Sequence, residues 1–248
     1  AAFVEACAED LRDLVATTPS GDVAALIAEP IQGVGGFAIP PTGFFSPVEK
    51  VCRENDILFI SDEVQTGWGR TGEHFWGYQA HGITPDLLTF AKGLGNGLTI
   101  AGVVGRAEVM DAVPANSIST FGGNPLSSAG ALANLHYLLD HGLQANAAEM
   151  GARLLSGLEP LVERHPAIGE IRGRGLMIGL ELVAADGFTP DADAAGRVLE
   201  ATKARRLLIG KGGLYGNCLR IAPPLSITAD ECDEALASFT AALDDALS

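Results

Sequence analysis

Lysine is scarce in this chain: of its 248 residues, only Lys50, Lys92, Lys203 and Lys211 carry an amine side chain. Basic charge is scarce as a whole, with 16 Lys and Arg against 31 Asp and Glu and a formal net charge of −15. Nothing in that balance offsets repulsion from phosphates, which argues against a nucleic-acid partner. The acidity bears on solubility rather than on activity. Cysteine is sparse too, and Cys7, Cys52, Cys218 and Cys232 form no CxxC pair. Neither a disulfide framework nor a zinc site follows from them, and a reduced, cytoplasmic protein is expected. His74, His81, His136, His141 and His165 share no metal-binding spacing, so structural or surface roles are expected and no metal. No apolar run approaches the roughly 20 residues that span a bilayer, so no membrane association is expected. The opening AAFVEACAEDLRDLV reads as the inside of a helix rather than a signal peptide.

What is present is apolar bulk and turn formers: 47% hydrophobic residues, 31 Gly and 13 Pro. A chain this apolar can bury a core, which excludes low-complexity disorder. Its length suits one large α/β domain, or such a domain with a smaller companion. Apolar positions at helical intervals over 3–16 lead to a turn at Thr18-Pro19-Ser20-Gly21. Residues 24–28 read as a buried strand ending at Glu29-Pro30, with a Gly/Pro-rich loop over 32–43. Residues 45–54 form an amphipathic helix, with Ser46-Pro47 as cap and first turn. Further strands are predicted over 57–60, 87–91 and 100–105. Continuous apolar runs separated by helices point to parallel βαβ units and a mostly parallel sheet. A loop over 117–125 precedes helices over 126–139 and 146–164. The pattern then changes to short strands over 168–172 and 176–182, separated by Gly173-Arg174-Gly175. A helix over 194–205, strands near 207–209 and 219–222, and a last helix from Thr228 follow. These features divide the chain near residue 142, with a large α/β domain over 1–142 and a small α+β domain over 143–248.

In open parallel sheets ligands bind at the carboxyl ends of the strands. The residues there are Glu29, Asp62-Glu63-Val64-Gln65 and Lys92. One βαβ unit would set Asp62 beside Lys92, either as an ion pair at a sheet edge or as a catalytic pair. The glycines of Ala91-Lys92-Gly93-Leu94-Gly95-Asn96-Gly97 clear room beside the amine for a bulky partner. Lys50 and Lys203 lie on charged helix faces. Lys211 is the one rival, and no carboxylate-bearing strand end adjoins it in sequence. A lysine that shuttles protons with a carboxylate beside it suits pyridoxal phosphate, which needs a Schiff-base lysine and an acid to keep its pyridine nitrogen protonated. Gly67-Trp68-Gly69-Arg70-Thr71-Gly72 matches G-x-G-x-x-G after a strand, but no amphipathic helix follows, so dinucleotide binding is not expected.

Six stretches carry a resemblance to a known family. They are IAEPIQGVGG ending at Gly36, FISDEVQTGWGRTG (59–72), DLLTFAKGLGNG (86–97), STFGGNP (119–125), IRGRGLMIGLEL (171–182) and LRIAPPL (219–225). In that order they resemble the class III, or omega-type, aminotransferases of the pyridoxal phosphate fold type I. The resemblance implies that Lys92 is the Schiff-base lysine that moves the substrate proton, and that Asp62 partners the pyridine nitrogen. It implies that Val64 packs on the ring, that Gln65 reaches its phenolic oxygen, and that Thr120 binds the cofactor phosphate of a neighbouring subunit in a homodimer. Arg220 would clamp the substrate carboxylate, a task suited to a forked guanidinium, or else serve as a structural ion pair. Glu29 resembles the acid that pairs with that arginine and releases it for a dicarboxylate.

The same resemblance implies that the chain is the C-terminal part of a longer enzyme. The glycine-rich phosphate loop and the aromatic residue that stacks on the ring would lie ahead of Ala1, so weak cofactor binding by this chain alone is expected. The segments 74–77, 120–123 and 210–216 look most like the alanine–glyoxylate type 2 branch. That branch implies amino transfer from L-alanine, or a β- or ω-amino acid, to a 2-oxo acid such as glyoxylate or pyruvate. Ornithine- and 4-aminobutyrate-type enzymes share the same core. Two other readings stay open: another reaction on the same scaffold, such as an aminomutase or decarboxylase, and a non-catalytic remnant acting through dimer contacts.

Overall fold

A computed structural model describes residues 2–18 and 22–247, so the expected turn at 18–21 lies largely outside the described residues. These residues form two compact units. The first comprises residues up to 30, 40–68 and 76–141; the second comprises 31–39, 69–75 and 142 onward.

The first unit is built around a four-stranded sheet: β1 (Ala25–Ala28), β2 (Leu58–Asp62), β3 (Leu87–Phe90) and β4 (Gly102–Gly105), in that order. Strands β1, β2 and β3 run parallel, with Ile27 opposite Ile60 and Asp62 opposite Thr89. Strand β4 runs antiparallel to β3, so the sheet is mostly parallel, as expected, with one reversed edge strand. Eleven residues join β3 to β4 with only a one-turn 3₁₀ segment among them, too little for the crossover that a parallel neighbour requires. The β2–β3 connection likewise carries a 3₁₀ turn, Gly77–His81, in place of a full helix.

Helices α1 (Ala2–Thr17) and α2 (Phe45–Glu54) supply the core of this unit. Phe45, Val48 and Cys52 pack with Ile57, Phe59 and Ile83, and Leu11 and Val15 lie against them. Helix α2 begins one residue before the expected cap. Phe44 holds the cap position, and the Ser46 hydroxyl donates instead to the carbonyl of His81 at 2.5 Å. The short helix α3 (Ala107–Met110) precedes α4 (Pro125–Asp140), where Asn124 caps by accepting from the Ser127 N–H at 3.0 Å and proline takes the first turn.

The second unit carries an antiparallel sheet of β5 (Ile168–Arg174), β6 (Met177–Leu182), β7 (Gly210–Gly212) and β8 (Cys218–Ile221), ordered β5-β6-β8-β7. The expected helix over 146–164 divides into α5 (Leu143–Leu158) and α6 (Pro160–Arg164), since Pro160 cannot extend the preceding ladder. Strand β5 runs on through Arg174, and the turn contracts to Gly175, in the left-handed region at φ 55°, and Leu176. The strand expected at 207–209 forms instead at 210–212. Arg206 is left-handed at φ 63° and Leu208 is 82% exposed, so the apolar run there does not pair. Helices α7 (Ala192–Ala204) and α8 (Ala229–Leu247) cover the sheet. Asp191 caps α7 at 2.7 Å from the Ala194 N–H, and Thr228 with Glu231 forms a reciprocal capping box at the start of α8. Leu154, Leu158, Leu176, Ile178, Leu180 and Leu219 form the centre of its core, each no more than 2% exposed.

Candidate active site

Because β1, β2 and β3 are parallel neighbours, their carboxyl ends share one edge of the sheet. Glu29 follows β1, Asp62 closes β2, and Lys92 lies two residues past β3. Glu63 follows directly after the last residue of β2. Glu63 is fully buried and accepts four hydrogen bonds: from the hydroxyls of Ser61 (3.2 Å) and Thr66 (2.5 Å), and from the N–H groups of Gly77 (2.8 Å) and Tyr78 (2.7 Å). Burial pushes its carboxyl above the usual range, and the four donors pull against that rise. Asp62 is half-buried; its Oδ1 accepts from the Val64 N–H at 3.1 Å, and no described residue engages Oδ2. Val64 and Gln65 follow in the same turn, both half-buried.

Lys92 occupies a strained position, a non-glycine residue at φ 34° in the 3₁₀ turn Lys92–Leu94. Three contacts hold the turn. Phe90 packs against Trp68 (5.4 Å, edge to face) and Trp76 (6.0 Å). A side chain at Gly93 would come within 3.1 Å of the Trp68 indole, so only glycine fits there without displacing the ring. The Asn134 amide, from α4, donates to the carbonyls of Gly93 (2.7 Å) and Leu94 (3.1 Å). The Lys92 amine is exposed and has no partner among the described residues. The other three lysines each have one: Lys50 with Glu54 at 3.8 Å, Lys203 with Glu200 at 3.2 Å and Lys211 with the Ala192 carbonyl at 3.5 Å. Asp62 and Lys92 thus end neighbouring strands, with no salt bridge between them among the described residues.

Thr120 lies elsewhere in the first unit, on a segment exposed throughout, between Ile118 (85% exposed) and Phe121 (80%). Arg220 belongs to the second unit, on β8. One guanidinium nitrogen, Nη1, donates to the Gly33 carbonyl at 3.0 Å, and the group stands 5.5 Å over the Phe37 ring. Its Nε–H is buried without an acceptor, and no carboxylate pairs with it among the described residues. In the same unit, burial lowers the Arg70 guanidinium from its ordinary value to about 10, and its Nη1 donates to the Pro223 carbonyl at 2.5 Å.

Sequence reasoning named Glu63 among the strand-end residues but gave it no role, and it missed Asn134. A second acid directly after Asp62 is the one signal that marks Glu63. Asn134 acts 41 residues away on backbone carbonyls, and no local pattern announces that. Residues 67–76 lead into no α-helix, which agrees with the dismissal of a dinucleotide fingerprint. No group of three or more potential metal ligands occurs among the described residues, and no helix there is long and apolar enough to cross a membrane.

The family model for class-III aminotransferases matches residues 2–243. The chain belongs to the class-III aminotransferase family. Alanine–glyoxylate aminotransferase 2 homolog 2 (mitochondrial) of Arabidopsis thaliana is 42% identical over 92% of this chain and 48% of its own length. The alanine/serine racemase of Pyrococcus horikoshii is 39% identical over 92% of this chain and 48% of its own. The chain thus spans about half the length of these relatives. Among solved structures, an amine transaminase from an uncultivated Pseudomonas species in its PLP-bound form superimposes with a TM-score of 0.90 at 35% identity, over 99% of this chain and 57% of that one. The shared architecture is the α/β fold type I of pyridoxal phosphate-dependent transaminases.

Class-III aminotransferases depend on pyridoxal phosphate. The residues present fit that group. An aldehyde calls for an unengaged amine, and Lys92 alone among the lysines offers one. A protonated pyridine nitrogen calls for an acceptor without a competing partner, and Asp62 Oδ2 is such an atom.

Proposed function

We propose that the protein of which this chain is a part is a pyridoxal phosphate-dependent aminotransferase. It would move an amino group from L-alanine, or from a β- or ω-amino acid, to a 2-oxo acid such as glyoxylate or pyruvate. The observation that carries this reading is the exposed, unpartnered Lys92 amine on the same sheet edge as Asp62. Pyridoxal phosphate, when bound, supplies an aldehyde and an electron-withdrawing ring that stabilises negative charge on the carbon beside the transferred nitrogen. Lys92 Nζ would carry the proton away from the substrate carbon that bears the transferred nitrogen, give it up within that half of the exchange, and run the same transfer in reverse on the acceptor. Asp62 Oδ2 holds the proton of the pyridine nitrogen, and the Glu63 network fixes the turn from which Asp62 projects. Val64 packs against the ring, and Gln65 donates to its phenolic oxygen.

Arg220 takes the substrate carboxylate with the donors that the fold leaves unused. Glu29 is the acid that would answer that arginine for a substrate with a single carboxylate, a pairing that Arg220 does not make among the described residues. Alternation between two substrates through Glu29 and Arg220 favours transamination over racemisation, a reaction that the Pyrococcus relative's name makes the natural rival. Thr120, with apolar Ile118 and Phe121 exposed beside it, reaches the cofactor phosphate of a second subunit, and the assembly is a homodimer. Residues 1–142 belong to the large cofactor domain and 143–248 form the small domain. Ornithine- and 4-aminobutyrate-type enzymes remain the alternative substrate branches.

Reductive trapping tests the central claim. The full-length protein that contains this chain is incubated with pyridoxal phosphate, reduced with borohydride and digested, and the modified lysine is located by mass spectrometry. Modification concentrated on Lys92, and lost in Asp62→Ala, is the expected result. Equal modification of Lys50, Lys92, Lys203 and Lys211 would overturn the assignment. Bleaching of a Lys92-dependent visible band by L-alanine but not by 4-aminobutyrate selects the alanine branch.

A further inference from the structure

Two arginines of the second unit's sheet lie in one row. Arg172 on β5 stands opposite Gly179 on β6, which stands opposite Arg220 on β8, which stands opposite Gly210 on β7. Residues directly opposite one another share a face, so the row presents two guanidinium groups flanking a glycine. The segment 31–39 passes over that gap. A side chain at Gly179 would lie 2.4 Å from the Gly36 carbonyl oxygen, closer than any real contact, so the absence of one lets the segment seat.

Each arginine grips the segment from its own side. Arg172 donates from Nε to the carbonyls of Gly36 (3.2 Å) and Phe37 (3.1 Å), and from Nη2 to Gly36 (2.9 Å). Arg220 donates to the Gly33 carbonyl and lies over the Phe37 ring. Phe37 is 3% exposed and left-handed at φ 55°, a conformation that a bulky residue keeps only when its surroundings hold it.

The two arginines differ in what remains free. Arg172 is 13% exposed, pairs with Glu181 at 2.9 Å and with Glu170, and contacts the Cys218 sulfur at 3.3 Å. Its charge and donors are used up within the fold. Arg220 has no carboxylate among the described residues and a buried Nε–H without an acceptor.

We propose that Arg172 is a positioning residue for substrate binding: by holding the carbonyls of Gly36 and Phe37 over Gly179, it fixes the platform on which Arg220 is aimed. Arg172 itself never touches the substrate. The inference rests on the reading of Arg220 as the carboxylate clamp.

Succinate, a plain dicarboxylate, is the probe, titrated into the chain while the Arg220 Nε–H resonance is followed by NMR. The variants are Arg220→Lys, Arg172→Met and Arg172→Lys, with circular dichroism and the β6 amide resonances as the check on folding. The native chain is expected to bind succinate and Arg220→Lys to lose it. Arg172→Met should weaken binding roughly tenfold, the scale of one or two lost hydrogen bonds. It should also speed hydrogen exchange in 31–39 while β6 stays protected. If Arg172→Met does not fold, Arg172→Lys carries the test, since it keeps the charge for Glu181 but not the fork across two carbonyls. Native affinity in a folded Arg172 variant, with binding lost in Arg220→Lys, overturns this inference and leaves Arg220 as the clamp. Absence of succinate binding to the native chain, or its survival in Arg220→Lys, overturns the reading of Arg220 and this inference with it.

Discussion

The two sheets of this chain are covered to very different extents. In the second unit Met177, Ile178, Leu180 and Leu182 of β6 are essentially inaccessible, as is Leu219 of β8. In the first unit β1 and β4 are edges of their sheet, and Ile27 is 59% exposed, Val103 47% and Val104 61%. Further apolar side chains, Leu126, Leu132 and Leu139, stand exposed along α4. An unpaired edge strand that carries exposed apolar side chains is an invitation to association. The second unit's sheet is thus enclosed within its unit, whereas the first unit's sheet leaves apolar side chains of its edge strands exposed.

The largest expected effect tests that contrast directly. Leu180→Ala, at a fully buried position, should cost about 2–5 kcal/mol. Ile27→Ala, at an apolar residue of similar size in the open sheet, should cost less than about 1 kcal/mol. Urea unfolding of both variants measures the pair, and comparable losses would break the comparison. A smaller effect is expected from Val104→Lys on the exposed edge. Stability should stay within about 0.5 kcal/mol while self-association of the chain falls, as read by sedimentation velocity. An unchanged association state would show that β4 is not part of the adhesive face.

The smallest effect is a pH dependence confined to the second unit. The Asp186 carboxyl is drawn down to about 2 from 3.8, first by the Thr189 hydroxyl and then by the N–H groups of Thr189 and Phe188. A depressed acid contributes stability above its unfolded value, and that contribution is lost as pH falls through the folded one. The stability difference between the native chain and Asp186→Asn should therefore hold above pH 3.8 and vanish toward about 2. A difference that grows on acidification would contradict the sign.

Much of the arrangement was legible in the residues. The acids and the lysine at strand ends could be named because apolar runs end abruptly at Glu29 and Asp62 and just before Lys92, and parallel strands gather such ends on one edge. The direction of β4 was not legible, since Val103 and Val104 look the same in either orientation and only the short connection decides. The break at Pro160 and the failure of 207–209 to pair were each settled by one residue's backbone, against a hydrophobic pattern that ran straight through. Arg220 stood out by its motif. Arg172 showed nothing of its task, because its partners are carbonyls 135 and 136 residues away.

By itself the sequence determined the classes of the elements, the apolar faces that bury them, and the scarcity of lysines that singles out Lys92. Those properties are local, written in side-chain type and in periods of two and of 3.6 residues. Only the tertiary structure decided that 31–39 and 69–75 pack within the second unit, that Glu63 is fully buried while Asp62 is half-buried, and that Arg172 and Arg220 share a row. The physical reason is that the acceptors in these contacts are mostly backbone carbonyls. Every residue has one, so which carbonyl an arginine meets is fixed by the path of the folded chain and leaves no mark in composition or spacing.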